Sequence, residues 1–194
     1  MNKKAIFICS SPNKNGNTNK TVKLVDAELK IHGVETEVID IANLKYKVNG
    51  CVACMSCQKS DKYECAFQDD AIPLYKKIKE VNFLIFATPI YFFGPNAQLK
   101  LILDRMFCLY KIDKESNKIY TCLKDITFCL IATAGGDIND GLSLTDDSFR
   151  IMSEFTNTPY KSLLIPLAND CGDIENNSDI KQMAKDFAEK LITS

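Results

Sequence analysis

Four cysteines fall within one short stretch, Cys51-Val-Ala-Cys54-Met-Ser-Cys57 followed by Cys65, a C-x2-C-x2-C-x7-C run. Three thiolates at three-residue steps on a compact loop can each reach a different iron of a cubane cluster. The chain from Cys57 to Cys65 can extend about 26 to 29 Å, so reach does not limit a fourth ligand. Zinc sites usually pair two C-x2–4-C knuckles across a longer gap, so the triple run favours iron–sulfur over zinc. Free or redox-active thiols and a zinc site stay open beside it. The chain holds nine cysteines in all, an odd number that no complete disulfide framework can use. Cys108, Cys122 and Cys171 are scattered, and Cys9 and Cys129 sit in apolar strand patterns that read as core. The sole histidine, His32, stands before Gly33 at a predicted helix end and reads as a solvated cap. One such residue argues against His-rich metal sites and against Ser–His or Cys–His triads.

A second group of residues has the chemistry of an anion and ring site. Ser10-Ser11-Pro12-Asn13-Lys14-Asn15-Gly16-Asn17-Thr18 follows an apolar run and precedes a helical one. Its hydroxyls, its glycine and the helix N-terminus behind it form a cradle in which backbone N–H groups and the helix dipole favour a phosphate. Neither G-x-G-x-x-G nor a Gly-Lys-Ser/Thr run is present, which points to a mononucleotide rather than a dinucleotide or a triphosphate. The bland alternative is an ordinary polar turn with an Asn or Thr cap. Pro89-Ile90-Tyr91-Phe92-Phe93-Gly94-Pro95 sets three aromatics between two prolines, and Thr133-Ala134-Gly135-Gly136 offers paired glycines. Aromatics so placed can cover a flat heterocycle, and glycines permit close backbone approach. Asp104-Arg105 reads as a helix-surface or subunit-interface ion pair rather than a catalytic pair, and Lys76-Lys77-Lys79 as a solvated face.

These groups need elements to bring them together. Strand patterns fall at 4–9, 35–41, 83–88, 126–132 and 162–167, with helical patterns at 18–31, 96–109, 143–155 and 180–191. The alternation predicts a doubly wound parallel α/β sheet, and ligands of such sheets bind beyond the carboxyl ends of the strands. Residues 44–70, which carry the cysteine run, fit neither periodicity and read as an inserted loop in a single 1–194 domain. The 46% hydrophobic content excludes disorder, and 24 basic against 25 acidic residues leaves no basic field for nucleic acid or anionic membrane. The apolar run at 5–9 is too short for a signal-peptide core, and no window approaches a membrane span. The expectation is a cytoplasmic protein whose thiols stay reduced or bind metal.

The runs S-S-P-N-K-N-G-N-T, P-I-Y-F-F-G, N-A-Q-L-K-L-I-L-D-R and T-A-G-G resemble the NADPH-dependent FMN reductase branch of the flavodoxin-like proteins. The resemblance extends from the first strand through Gly136, about two thirds of the chain. It implies a flavodoxin-like three-layer sandwich, a five-stranded parallel sheet of order 2-1-3-4-5, and noncovalent FMN. It implies that Ser10, Ser11, Asn17 and Thr18, with Pro12 in the same loop, hold the phosphate. By the same likeness Pro89, Ile90, Tyr91 and Phe92, leading into Gly94, line the isoalloxazine, and Ala134, Gly135 and Gly136 close its other side. Ser10 and Asn13 depart from relatives, which commonly carry Gly and Arg there. The cysteine spacing resembles the iron–sulfur flavoprotein subfamily, in which a [4Fe–4S] cluster occupies the loop after the second strand. Gly50 and Asp69-Asp70 also match flavin reductases in which no cluster is evident. Flavodoxin-like reductases commonly dimerise through the helix that carries Asp104-Arg105, which implies a homodimer or homotetramer.

The leading expectation is an FMN-dependent oxidoreductase, with NAD(P)H as an electron donor and a [4Fe–4S] cluster on Cys51, Cys54, Cys57 and Cys65. That cluster would exchange single electrons between the flavin and a small-molecule or protein partner. Hydride transfer to a flavin needs stacking and orientation rather than a protein acid or base, so no catalytic side chain is assigned. The alternatives are a cluster-free NAD(P)H-dependent reductase of flavin, quinone, azo or nitro acceptors, and a non-enzymatic FMN- and thiol-based carrier or sensor.

Overall fold

Buried strands alternate with amphipathic helices to give a parallel sheet between two helical layers, and the computed structural model describes residues 2–193 of it. The chain runs through β1 (Lys4–Cys9), α1 (Asn17–Ile31), β2 (Glu35–Asp40), α2 (Ser56–Lys59), α3 (Ala71–Ile78), β3 (Phe83–Tyr91), β4 (Gly94–Pro95) and α4 (Ala97–Arg105). It continues through β5 (Tyr110–Ile112), β6 (Ile119–Thr121), β7 (Thr127–Thr133), α5 (Ser143–Thr156), β8 (Tyr160–Ile165), α6 (Asp173–Asn176) and α7 (Ser178–Ile192). The main sheet has the order β2-β1-β3-β7-β8 with every one of those pairings parallel. Setting the short β4, β5 and β6 aside, this is the flavodoxin-like order.

The three central strands are buried on both faces, which is why they read as continuous apolar runs. On one face, Phe7, Ile85 and Ile131 pack under Val25 and Leu29 of α1 and Phe187 and Leu191 of α7. On the other, Ile8, Leu84 and Phe86 lie under Tyr75 of α3, Ile102 of α4 and Phe149 of α5. The Phe86 ring meets Phe128 edge-on at 5.9 Å and Phe149 at 5.1 Å. Helix α1 closes with Gly33 in the left-handed region at φ +77°, and His32 caps it, as the sequence predicts. Cys9 and Cys129 are core residues, and burial pushes the Cys9 thiol up to about 11.

Several elements differ from the sequence reading. Helix α3 was not foreseen, because Pro73 looks like a breaker; it stands in the first turn, where its missing N–H is not needed. Predicted helix 96–109 ends as α4 at Arg105, and Met106–Leu109 tightens into a 3-10 turn. The hairpin β5–β6 is too short to show a periodicity. The predicted strand 83–88 runs on to Tyr91, because Pro89 still pairs with Thr133 and Ile90 and Tyr91 then pair with Pro95 and Gly94. The aromatic loop is therefore a strand end and a tight turn.

Candidate functional site

The carboxyl ends of β1, β3, β7 and β8 share one edge of the sheet, and the four loops leaving them are tied to one another. Helix α1 begins at an extended Gly16 with no capping side chain and no acidic residue in its first turn. Its N-terminal amides and dipole are thus available to an anion. The side chains expected beside them act as ties between loops. Ser10 Oγ donates to the Ala87 carbonyl at 2.9 Å, and the Thr18 and Thr133 hydroxyls meet at 2.7 Å. Asn17 Nδ2 donates to the Ala168 and Asp170 carbonyls, both at 2.9 Å, while its buried Oδ1 has no partner among the described residues. Ser11 is buried and bonds within the loop to the Asn13 carbonyl, and Pro12 is exposed.

Asn96 joins the first loop to the second. Its carbonyl oxygen accepts from the Leu99 N–H as the N-cap of α4, and its Nδ2 donates to the Ser10 carbonyl at 2.7 Å. Pro89 is buried, Ile90 half-buried, and Tyr91 and Phe92 exposed, Phe92 almost fully at 97%. Phe92 and Phe93 adopt φ +48° and +68°, the paired left-handed conformation of a type I′ turn that Asn-Gly would favour. A bulky pair there is strained, and strain of this kind clusters at functional sites. Gly94 closes the turn. Gly141, at φ +103°, lets the chain before α5 pass the Phe93 backbone; a Cβ there would lie 2.6 Å from the Phe93 carbonyl carbon.

On the third loop Ala134 is buried, and Gly135 and Gly136 are half-buried. A Cβ on Gly135 would fall 2.3 Å from Asn169 Oδ1, and one on Gly136 would fall 2.6 Å from Asp140 Oδ2. Leu167 N–H donates to the Gly136 carbonyl and Ala168 N–H to the Ala134 carbonyl, so the loop after β8 is part of the same rim. The sequence reading missed Asn169 and Asn96 as rim residues. An N-cap signal at Asn96 was visible; nothing marked Asn169.

The cysteine run packs on the face of the sheet opposite α1, where Cys57 and Cys65 meet the apolar cluster built with α3 and α4. Its neck is stapled by the acidic pair. Asp69 accepts from Lys47 N–H at 2.9 Å and Asp70 from Lys45 N–H at 2.8 Å, closing residues 45–70 into a loop with adjoining ends. Gly50, Ala53 and Met55 all have positive φ, so the backbone winds tightly between Cys51 and Cys57. Concavities of this kind present backbone N–H groups to anions and iron–sulfur centres. Cys51, Cys54, Cys57 and Cys65 line one small pocket together with Arg105 and Cys108. No group of three or more His, Cys, Asp or Glu among the described residues is gathered tightly enough to hold a metal ion as the side chains stand.

The pocket is electrostatically uneven. The exposed Cys54 thiol is held below its ordinary value by hydrogen bonds from Ser56, while burial raises Cys57, against a Gln58 side-chain contact at 3.8 Å. Burial pushes Cys108 up to about 12, so this fifth thiol is neutral. Arg105 corrects the sequence reading: it does not pair with its neighbour Asp104, which meets Lys100 on the helix surface. Adjacent helical residues point apart, and Arg105 turns inward to a fully buried bridge with Asp69 at 2.7 Å. Burial alone would raise the Asp69 carboxyl; the Arg105 fork and the Lys47 and Ala71 amides outweigh it and hold it below the ordinary value. Beside the pocket, Cys51 and Met55 also border an open apolar groove with Leu103, Phe107, Met152 and Phe155.

The family model described as NADPH-dependent FMN reductase matches residues 3–169. The chain is 37% identical over 102 residues to an iron-sulfur flavoprotein of Methanocaldococcus jannaschii, covering 53% of this chain and 51% of that one. The chain spans about half the length of the curated relatives it matches. Its fold is similar to an NAD(P)H:quinone oxidoreductase from Methanothermobacter marburgensis, with TM-score 0.70, 15% identity, and coverage of 98% and 97%. It is also similar to an FMN-dependent NADH-azoreductase from Bacillus anthracis in complex with FMN, with TM-score 0.67, 14% identity, and coverage of 97% and 99%.

Proposed function

The chain belongs to the NADPH-dependent FMN reductase family, and from that premise we propose an FMN oxidoreductase that carries a [4Fe–4S] cluster on Cys51, Cys54, Cys57 and Cys65. The observation that carries the second half is the gathering of those four thiols around one pocket, with no nitrogen ligand among them. Such a donor set fits iron–sulfur chemistry, in which each thiolate serves a separate iron and the sulfurs need not meet at a point. The iron-sulfur flavoprotein relative supports it.

At the flavin end, the uncapped first turn of α1 would hold the phosphate through backbone amides. Ser10, Ser11, Asn17 and Thr18, with Pro12, keep that loop in shape. The β3 end at Pro89, Ile90, Tyr91 and Phe92, with Gly94, would flank the ring on one side, and Ala134, Gly135 and Gly136 would approach it on the other. FMN, when bound, supplies hydride and one-electron chemistry, and a cluster supplies one-electron transfer. The chain's part is to orient and exclude water. No side chain need act as acid or base, and His32 sits at the C-terminal end of α1, opposite the end that faces the crevice. NAD(P)H is the proposed electron donor, a small molecule or protein the acceptor, and the cytoplasm the reducing setting.

A cluster-free reductase of quinone or azo acceptors is the second reading, favoured by the exposure of Cys51 and Cys54 and by the fold neighbours. Anaerobic purification with assays of FMN, iron and sulfide separates the two. About four irons and four sulfides per chain beside FMN are expected for the cluster, and Cys54→Ala should lose them while keeping the flavin. Flavin without iron in the native protein would select the second reading, whereas iron, sulfide and electron-transfer rate unchanged in Cys54→Ala would overturn the assignment of the cluster to this cysteine run.

A further inference from the structure

We propose that Arg105 is the positioning residue of the thiolate pocket: it holds Cys65 in place and, with Asp69, sets the reduction potential of the cluster. This rests on the reading of the four thiols as cluster ligands. Of the 24 basic residues only Arg105 and Arg150 are arginine, and their settings are opposite. Arg150 lies on the surface between Asp147 and Glu154, whereas the Arg105 side chain is 1% exposed. Nη1 donates to Asp69 Oδ2 at 2.7 Å and Nη2 to Asp69 Oδ1 at 3.0 Å. Nη2 also donates to the Phe67 carbonyl at 3.0 Å and approaches Cys65 Sγ at 3.6 Å. One planar guanidinium therefore spans Cys65, Phe67 and Asp69, the segment that brings in the last of the four cysteines. Lysine, a point charge on a flexible stem, cannot make that span.

A second observation points to an anionic occupant. Arg105 Nε is buried and has no hydrogen-bond partner among the described residues, and Arg105 lines the pocket with the thiols. A buried donor left unpaired loses its hydration without a replacement, so a pocket that keeps one is suited to receive an acceptor. Four thiolates around iron and sulfide supply such an acceptor and carry net negative charge. A fixed cation and an N–H aimed at a ligand sulfur favour the reduced state, which is more negative, and raise its potential. Asp69 opposes this with a charge of the other sign.

The two halves of one bridge should therefore act in opposite directions. In anaerobic redox titrations followed by electron paramagnetic resonance, Arg105→Gln is expected to lower the cluster potential and Asp69→Asn to raise it. A role confined to packing would shift both the same way or neither, and either result overturns the proposal. Arg105→Lys keeps the charge and loses the fork. It should hold the potential near that of the native protein yet yield iron to a chelator at about tenfold lower chelator concentration. Should the other two variants fail to fold, judged by lost FMN and lost cooperative unfolding, Arg105→Lys decides, and native-like iron retention overturns the proposal. An iron-free native protein would instead defeat the cluster reading beneath it, a result distinct from an iron-loaded protein whose potential ignores Arg105.

Discussion

Asp69 is a carboxylate with almost no exposed surface and with all its strength drawn from four donors: the Arg105 fork and the amides of Lys47 and Ala71. Removing one partner of a buried pair leaves the other uncompensated, at a cost of about 3–5 kcal/mol. Asp69→Asn should therefore lower the unfolding free energy by about that much near neutral pH, measured by urea unfolding. The pH dependence has a definite sign. The folded-state carboxyl titrates below its unfolded value of about 3.9, so its contribution is complete above that pH and is lost as pH falls through the folded-state value. The gap between native and Asp69→Asn proteins should be constant above about pH 5 and close at more acid pH. A gap that widened toward acid would refute the assignment. At this scale sequence showed which residues were unusual, the cysteine run and the Asp69-Asp70 pair, and not whom they would meet. Arg105 was read with Asp104 because they are neighbours in sequence; the partner it found is 36 positions away.

At the scale of elements, the turn Phe92-Phe93 is the place where local preference and structure disagree. Both residues hold positive φ, and Phe has no means of relieving the Cβ clash that Asn and Gly tolerate. The double substitution Phe92→Asn, Phe93→Gly should raise the unfolding free energy by about 1–2 kcal/mol. Because Phe92 is proposed to flank the flavin ring, the same variant should also weaken FMN binding; bound-FMN content and FMN titration read this out. A variant no more stable than the native protein would remove the strain argument. The strands and long helices around this turn were legible because burial on two faces or one face leaves period and composition in the sequence. Helix α3 and the hairpin β5–β6 were not, since one carries a proline in its first turn and the other is three residues to a side.

For the whole molecule, the flavin rim is built from the sheet while the thiolate pocket hangs on a stapled loop, so the two should fail separately. FMN at a hundred times its Kd should add about 2.7 kcal/mol to stability, whereas Cys51→Ser should abolish iron loading and leave that FMN increment intact. Loss of the increment would mean that the loop and rim are one cooperative unit. Leu144, Ile151 and Phe155 leave exposed apolar surface along α5, and Phe155 also borders the open groove. Among the described residues no helix is long and apolar enough to cross a membrane. The sequence by itself determined the strand–helix alternation, hence the doubly wound sheet and the edge where its loops converge, because hydrophobic period is a local record of burial. It also determined the cysteine spacing. Tertiary structure alone decided that Asn17, Asn96 and the Thr18–Thr133 pair tie four loops into one rim, and that Arg105 turns inward to Asp69 and Cys65. Such contacts join residues distant in sequence, and their energy depends on the burial and geometry that packing creates.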